Sequence, residues 1–438
     1  MAEGSTPGLV RSMRRWDLVA VCLNGVIGAG IFGLPSKVFA LSGTYSLLAF
    51  VVCAFCVAAI VLSFAEVGSR FAGTGGPYLY AGVAYGPTTG FAVGWLVWIA
   101  RLTSFSANLS LLPAYLGFFF PEVATGAPRA ILVTAVVALL TAINIAGVRQ
   151  VADASNAFAI GKLVPLAIFI VAGLFFLEPT RFSFAVLPGY HSFSQSVLLL
   201  VYAFTGFEMA VIPAGEVRNP GREVPAALMT GMGVVIVFYV LLQVVCVGTL
   251  PGLATSQRPL ADAAARFLGT RGVLMITAGI VVSLAGNLNV LILAASRIIY
   301  AMAERGDLPP LFAMVHARHR TPVFAVIGTT ATMLALTLSG TFISLVTAST
   351  LARLGSYPAT AAALPILRRR PDAPKATLVL RAGTAVAVAS ILLAIWLISN
   401  SSWLEARDTV IALAVGLGIY AWSRALVRRN VSTSVGVE

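Results

Sequence analysis

The feature that most constrains this chain is a succession of apolar runs, each about 20 residues or longer, recurring from Asp17–Ala40 to Thr409–Leu426. A run of that length crosses the ~30 Å hydrocarbon core of a bilayer as a helix. In hydrocarbon each backbone N–H and C=O must find a protein partner, so helices are the expected solution. About twelve spans are expected, near 16–40, 45–68, 89–118, 129–147, 156–177, 194–215, 225–250, 272–300, 322–338, 341–366, 378–398 and 408–426. Short polar connections separate them, so one membrane domain fills nearly the whole chain. Only 10% of the residues are charged, against roughly 25% in an ordinary soluble domain. The expected fold class is an all-α membrane protein of about 12 transmembrane helices.

A net charge of +13 would suit a nucleic-acid partner, but the location of the bases argues against one. Arg11, Arg14 and Arg15 precede the first span; Arg70, Arg149, Arg218, Arg222, Arg305, Arg318, Arg320, Arg368, Arg369, Arg370 and Lys375 fall in alternate loops; Arg424, Arg428 and Arg429 end the chain. By the positive-inside rule these segments are cytoplasmic, and an even span count puts both termini there. The expected place is the cytoplasmic membrane, with lipid as the surrounding partner and no nucleic acid. The basic patch before the first run resembles a signal peptide, yet a run of about 24 residues is too long for that, and an uncleaved first helix is expected.

Chemistry that would mark an enzyme or a nucleotide-driven pump is missing from the sequence. Gly161-Lys162 is followed by Leu163 and lacks the upstream glycine of a phosphate loop. The histidines His191, His316 and His319 read as loop or loop-edge residues, which removes an intramembrane Ser-His pair. Cys53 and Cys56 form a C-x-x-C with no second pair, so they read as small helix residues rather than metal ligands. No cofactor, metal or catalytic residue is expected, and oligomeric state is not set by any of these features.

Gly28-Ala-Gly30-Ile-Phe-Gly33 matches a dinucleotide fingerprint literally, but that motif must follow a strand and open a helix. Here it lies inside a membrane span. Each glycine costs a helix ~1 kcal/mol relative to alanine, and Gly25, Gly28, Gly30 and Gly33 crowd one stretch before Pro35. Either they form a close-packing face, or the helix is discontinuous and its freed N–H groups can bind a carboxylate at mid-membrane. The second reading gains weight from the sixth span, which carries Thr205-Gly206 at its middle and Glu208 just after. Paired breaks in corresponding positions of two halves point to a transporter site between repeats.

At these residues the chain resembles a known family. Ile27-Gly-Ala-Gly-Ile-Phe-Gly-Leu-Pro35 looks like the first-helix signature of the amino acid, polyamine and organocation (APC) transporter superfamily, which includes bacterial amino acid permeases. Ala65-Glu66, Gly75-Gly-Pro-Tyr-Leu-Tyr80, Gly86-Pro-Thr-Thr-Gly-Phe91 and Gly94-Trp95 are similar to its second-to-third-helix region. Gly206-Phe-Glu208, Glu216-Val-Arg-Asn-Pro220, Ser296-Arg297 and Arg305-Gly-Asp-Leu-Pro309 resemble later motifs, in order. The resemblance implies a leucine-transporter type fold: a tail 1–15, inverted five-helix repeats 16–190 and 191–370, two peripheral helices within 371–427, and a tail 428–438. It implies an amino acid or related amine as substrate. Ile27, Gly28, Ala29 and Gly30 would surround the carboxylate, with backbone N–H groups of Gly28 to Gly30 holding it. Ala203 to Thr205 would offer carbonyls to the ammonium, and Tyr202 stands where relatives carry an aromatic gate.

Charges within spans are costly, ~2.5–3.5 kcal/mol each at the bilayer centre. Lys162 lies in the fifth span; it either snorkels to the interface or, as the resemblance implies, replaces a sodium ion beside the first helix and couples transport to protons. Arg101 sits mid-way along the third span on a face with Ser104 and Asn108. It departs from the family pattern. It pairs with Glu208, contacts an anionic substrate group, or faces a water-filled cavity. By span position Phe204, Phe207, Asn287, Asn289 and Tyr357 join the pocket. With Glu208 as the one central acid, a cationic substrate is disfavoured and a neutral amino acid preferred, an acidic one being open through Arg101. The expected function is proton-coupled amino acid symport by alternating access. The alternatives are an exchanger, or a receptor or channel on the same scaffold.

Overall fold

Helices follow the apolar runs, and prolines mark where several begin. The computed structural model describes residues 9–28, 30–116, 120–339, 342–399, 407 and 410–424, with the side chains of some helical positions, Tyr202 among them, outside the described set. The helices are α1 (Arg15–Val26), α2 (Gly30–Ser42), α3 (Ser46–Gly68), α4 (Pro77–Tyr85), α5 (Pro87–Leu116), α6 (Gly126–Ala146), α7 (Val148–Leu174), α8 (Tyr190–Ala203), α9 (Pro220–Thr249), α10 (Pro259–Glu304), α11 (Val323–Ser339), α12 (Phe342–Arg369), α13 (Gly383–Ser399) and α14 (Val410–Arg424). Pro77, Pro87, Pro220 and Pro259 stand at first helical positions, where a missing N–H costs no helical hydrogen bond. With α1 and α2 taken as one span and α4 as a connector, the described helices make an all-α membrane fold of twelve spans.

Three boundaries differ instructively from the apolar pattern. The sixth span is helical only to Ala203; its second half runs as 3₁₀ turns, Phe207–Ala210 and Ile212–Glu216. The eighth begins at Pro259 rather than 272, because a further helical stretch joins it across Gly269, at φ 60° and ψ −153°. That backbone region is essentially reserved for glycine. The seventh begins at Pro220 rather than 225, its first turn being polar and therefore invisible to a hydropathy reading.

Burial separates centre from rim. In α5, 83% of the most apolar window is buried, against 22% in α6, so α5 is a central post and α6 a lipid-facing one. Ile131 and Leu139 on α6, and Ile160, Val164, Ile168 and Val171 on α7, are exposed apolar side chains that acyl chains can cover. Around α5 pack α12, α10 and α4. Among the largest fully buried side chains are Arg101, Arg297 and Lys162, so the interior carries charges where lipid could not accept them.

Polar ties close the face on which α1 begins. Met13 pairs with the end of the sixth span, its N–H donating to Glu216 O (2.9 Å) and its carbonyl accepting from Arg218 N–H (3.1 Å). Glu216 also accepts from buried Arg297 at 2.6 and 3.3 Å. Asp17 caps α1 by accepting from Arg14 N–H (2.8 Å) and takes a second bond from Asn156 Nδ2 (2.7 Å). Asp307, from the loop after α10, accepts from Tyr78 Oη (2.6 Å) and Arg424 Nη2 (2.8 Å). Glu66 accepts both arms of Arg368, at 2.7 and 2.6 Å. A phenol donating to a buried carboxylate contributes more than a neutral pair, but Arg424 remains when it is lost. Tyr78→Phe is therefore expected to destabilise the folded protein by about 1–2 kcal/mol, read as a lowered midpoint in reversible unfolding from mixed micelles.

Candidate functional site

The two interrupted spans meet back to back at their breaks. A Cβ placed on Gly25 would stand 2.5 Å from Gly206 O, and one on Gly206 would stand 2.2 Å from Gly25 O. Gly206 is moreover left-handed, at φ 111° and ψ −11°. Glycine at both positions lets the chains touch through their backbones. α1 ends at Val26, Ile27 leaves helical geometry at φ −77° and ψ 82°, and α2 starts at Gly30.

A broken helix in a membrane must have its freed carbonyls answered from elsewhere, and here each is. Asn287 Nδ2 donates to Asn24 O and Gly25 O, both at 2.9 Å. Tyr239 Oη lies 3.2 Å from Val26 O and 3.3 Å from Ala203 O, within reach of both breaks. Lys162 Nζ donates to Ile27 O (2.7 Å) and to Ser283 O (3.2 Å), while Ser283 Oγ donates to Ile27 O (2.8 Å). The break is thus held open by α7, α9 and α10. On its other side the first N–H groups of α2 have no carbonyl within the helix to meet.

Beside the breaks lies a narrow cleft, bordered by Gly28, Gly30, Asn108, Thr205, Asn287 and Arg353 among others. Gly28, Gly30, Ala203, Thr205 and Asn287 of the expected site line it. Other expected residues serve as packing around it. Ile27 is buried, its carbonyl held by Lys162; Phe204 packs on Tyr239 with ring centroids 4.9 Å apart; Phe207 packs on Phe64 and Tyr357 at 5.3 and 5.7 Å. Asn289 belongs to a separate cluster, donating to Ser155 Oγ (3.2 Å) and accepting from Asn144 Nδ2 (3.0 Å). Ala29 and the Tyr202 side chain lie outside the described residues.

The mid-membrane charges form a cluster beside the cleft. Arg101 Nη2 donates to Glu208 Oε1 at 2.5 Å, both groups buried. Glu208 Oε2 accepts Gly206 N–H at 2.9 Å, so one carboxylate anchors both an arginine and the sharp turn of the sixth span. Sequence reasoning missed Arg353, on α12 and 6% exposed. Its Nη1 donates to Thr205 Oγ1, and its Nη2 to Ser104 Oγ at 2.6 Å. The signal was present: a single arginine within the apolar stretch 341–366 obeys the same rule that singled out Arg101. The expectation of a neutral substrate takes no account of this second cation. Among the described residues, no cluster of three His, Cys, Asp or Glu could hold a metal.

The two broken helices thus abut at glycines, and side chains answer every freed carbonyl between Asn24 and Ile27. A family model described as amino acid permease matches residues 14–420. The chain belongs to the amino acid permease family. A methylthioribose transporter of Bacillus subtilis is 26% identical, the match covering 96% of this permease and 94% of that protein. The serine/threonine exchanger SteT of the same organism is 29% identical over 73% of this permease and 74% of its own length. A putative arginine/ornithine antiporter, also from Bacillus subtilis, is 28% identical over 78% and 81% respectively.

Proposed function

We propose that this permease moves an amino acid across the cytoplasmic membrane by alternating access, with a proton accompanying the substrate. The observation that carries the reading is the pair of abutting breaks, with the cleft beside them. An α-carboxylate bound at Gly28 to Gly30 meets the freed N–H groups that open α2 and its positive end, while the Gly28 N–H is engaged by Val26 O at 2.9 Å. The ammonium lies near the carbonyls of the 203–205 stretch. In this reading the halves 16–190 and 191–370 rock about this site, with 371–427 at the rim, and the termini lie in the cytoplasm, a topology that the basic loops support through the positive-inside rule. Opening toward the face where α1 begins then requires breaking the ties of Met13, Asp17 and Glu216.

Lys162 is the coupling residue in this reading. Its ammonium bonds the Ile27 carbonyl at the break, so a change in its protonation changes the break itself. Purified protein in proteoliposomes should accumulate labelled amino acids under an inward proton gradient. Lys162→Ala should abolish gradient-driven accumulation while retaining some downhill exchange. Undiminished accumulation by that variant would sink the coupling role.

The second reading is exchange, favoured by relatives whose names are exchanger and antiporter. Uptake that needs internal amino acid and ignores a pH gradient would establish it in place of symport.

A further inference from the structure

Of the three mid-membrane charges beside the cleft, Glu208 is already engaged, accepting from Arg101 and from Gly206 N–H. Arg353 is differently placed. It borders the cleft itself, and among the described residues no carboxylate forms an ion pair with it. Among the described residues its two Nη groups reach hydroxyls alone, those of Thr205 and Ser104, and its Nε is buried with no acceptor. The Ser104 hydroxyl is itself braced by Ser349 Oγ at 2.6 Å, which in turn reaches Ala100 O at 3.2 Å. The guanidinium is therefore held by neutral contacts, with hydrogen-bonding capacity left over.

Arg101, Arg353 and Glu208 leave the region one positive charge in excess, and the Lys162 ammonium at the break adds a second. A zwitterionic amino acid with a neutral side chain brings no net charge and leaves the excess in place. A cationic one adds to it. An amino acid whose side chain is a carboxylate brings a net charge of −1 and offsets part of it. Guanidinium and carboxylate are also matched in shape, the planar fork offering parallel donors to two oxygens. We propose that this permease selects acidic amino acids, aspartate or glutamate, and that Arg353 receives the side-chain carboxylate while the α2 N-terminus takes the α-carboxylate. The inference rests on the transport reading above and names its substrate class.

The test is counterflow exchange in proteoliposomes containing the full chain, with labelled L-aspartate, L-glutamate, L-asparagine and L-glutamine compared at pH 7. These pairs differ in side-chain charge at nearly constant shape. The wild-type protein should half-saturate with an acid at a concentration at least tenfold below that for its amide. Arg353→Gln should erase that preference while the amides still exchange, and Arg353→Lys should restore part of it. Equal or better exchange of the amides by the wild-type protein would overturn the proposal without touching the transport reading. So would an acid preference unchanged in Arg353→Gln, since an arginine that only braces Thr205 and Ser104 would leave selectivity alone. Failure of all twenty amino acids to exchange would instead overturn the transport reading, and this inference with it. The wild-type comparison decides the matter even if the glutamine variant cannot be recovered folded.

Discussion

Glu208→Ala is expected to destabilise the permease by about 3–5 kcal/mol, the usual cost of removing one partner of a buried ion pair, and to abolish amino acid exchange. The carboxylate is buried and accepts from Arg101 at 2.5 Å and from Gly206 N–H at 2.9 Å. Its loss leaves Arg101, fully buried, with no counter-charge, adds to the excess already carried by Arg353, and frees the N–H at the turn of the sixth span. Reversible unfolding of purified protein in mixed micelles measures the first effect and counterflow the second. Glu208→Gln can still accept from Gly206 N–H while losing its charge, so it should be less destabilised than the alanine variant. Arg101→Leu with Glu208→Leu should recover part of the loss, since replacing both partners removes the uncompensated charge. A Glu208→Ala protein as stable as the wild type would mean that water, not the ion pair, solvates Arg101.

Gly206→Ala is expected to cost about 2–4 kcal/mol and to stop transport, from a left-handed backbone that disfavours a side chain together with overpacking. The added methyl would lie 2.2 Å from Gly25 O and 2.7 Å from Gly25 C, both backbone atoms of the other broken span. Neither can rotate away as a side chain would. The two breaks must separate, and the Tyr239 contacts to both, together with the Asn287 and Lys162 bonds that hold the first, lose their geometry. Gly233→Ala is the control: nothing lies within 4 Å of its Cβ position, in an exposed turn of α9, so it should be neutral or slightly stabilising. Equal melting and equal uptake for the two variants would show that the close approach of the spans is dispensable.

Much of this was legible in advance because the bilayer makes the sequence explicit. Glycines at 25, 28, 30 and 206 stand out against helix-forming neighbours, and each sits where the chain leaves regular helix or touches another backbone. The Arg101–Glu208 pair was foreseeable as one option, since an unpaired charge there is too costly. Less legible were side-chain directions. Phe204 and Phe207 flank the same break, yet both turn into aromatic packing rather than the cleft. Their positions along the span are those of pocket residues, and only the sharp turn at Gly206 decides which way they face. Asn287 and Asn289, two residues apart on α10, diverge for a simpler reason: helical geometry puts them on different faces.

What the sequence determined by itself was the class of structure: apolar runs separated by basic loops can satisfy their backbone in lipid only as helices, and glycine clusters within them mark where helices break. What only the tertiary structure decided was which charge meets which partner. Lys162 bonds the carbonyl of Ile27, 135 positions away, and Arg353 reaches Ser104 across 249. Such pairings depend on the packing of whole helices to within an ångström or so. A one-dimensional pattern records that a buried charge needs a partner, because desolvation is a property of the residue. It does not record which partner arrives, because that is a property of the assembled bundle.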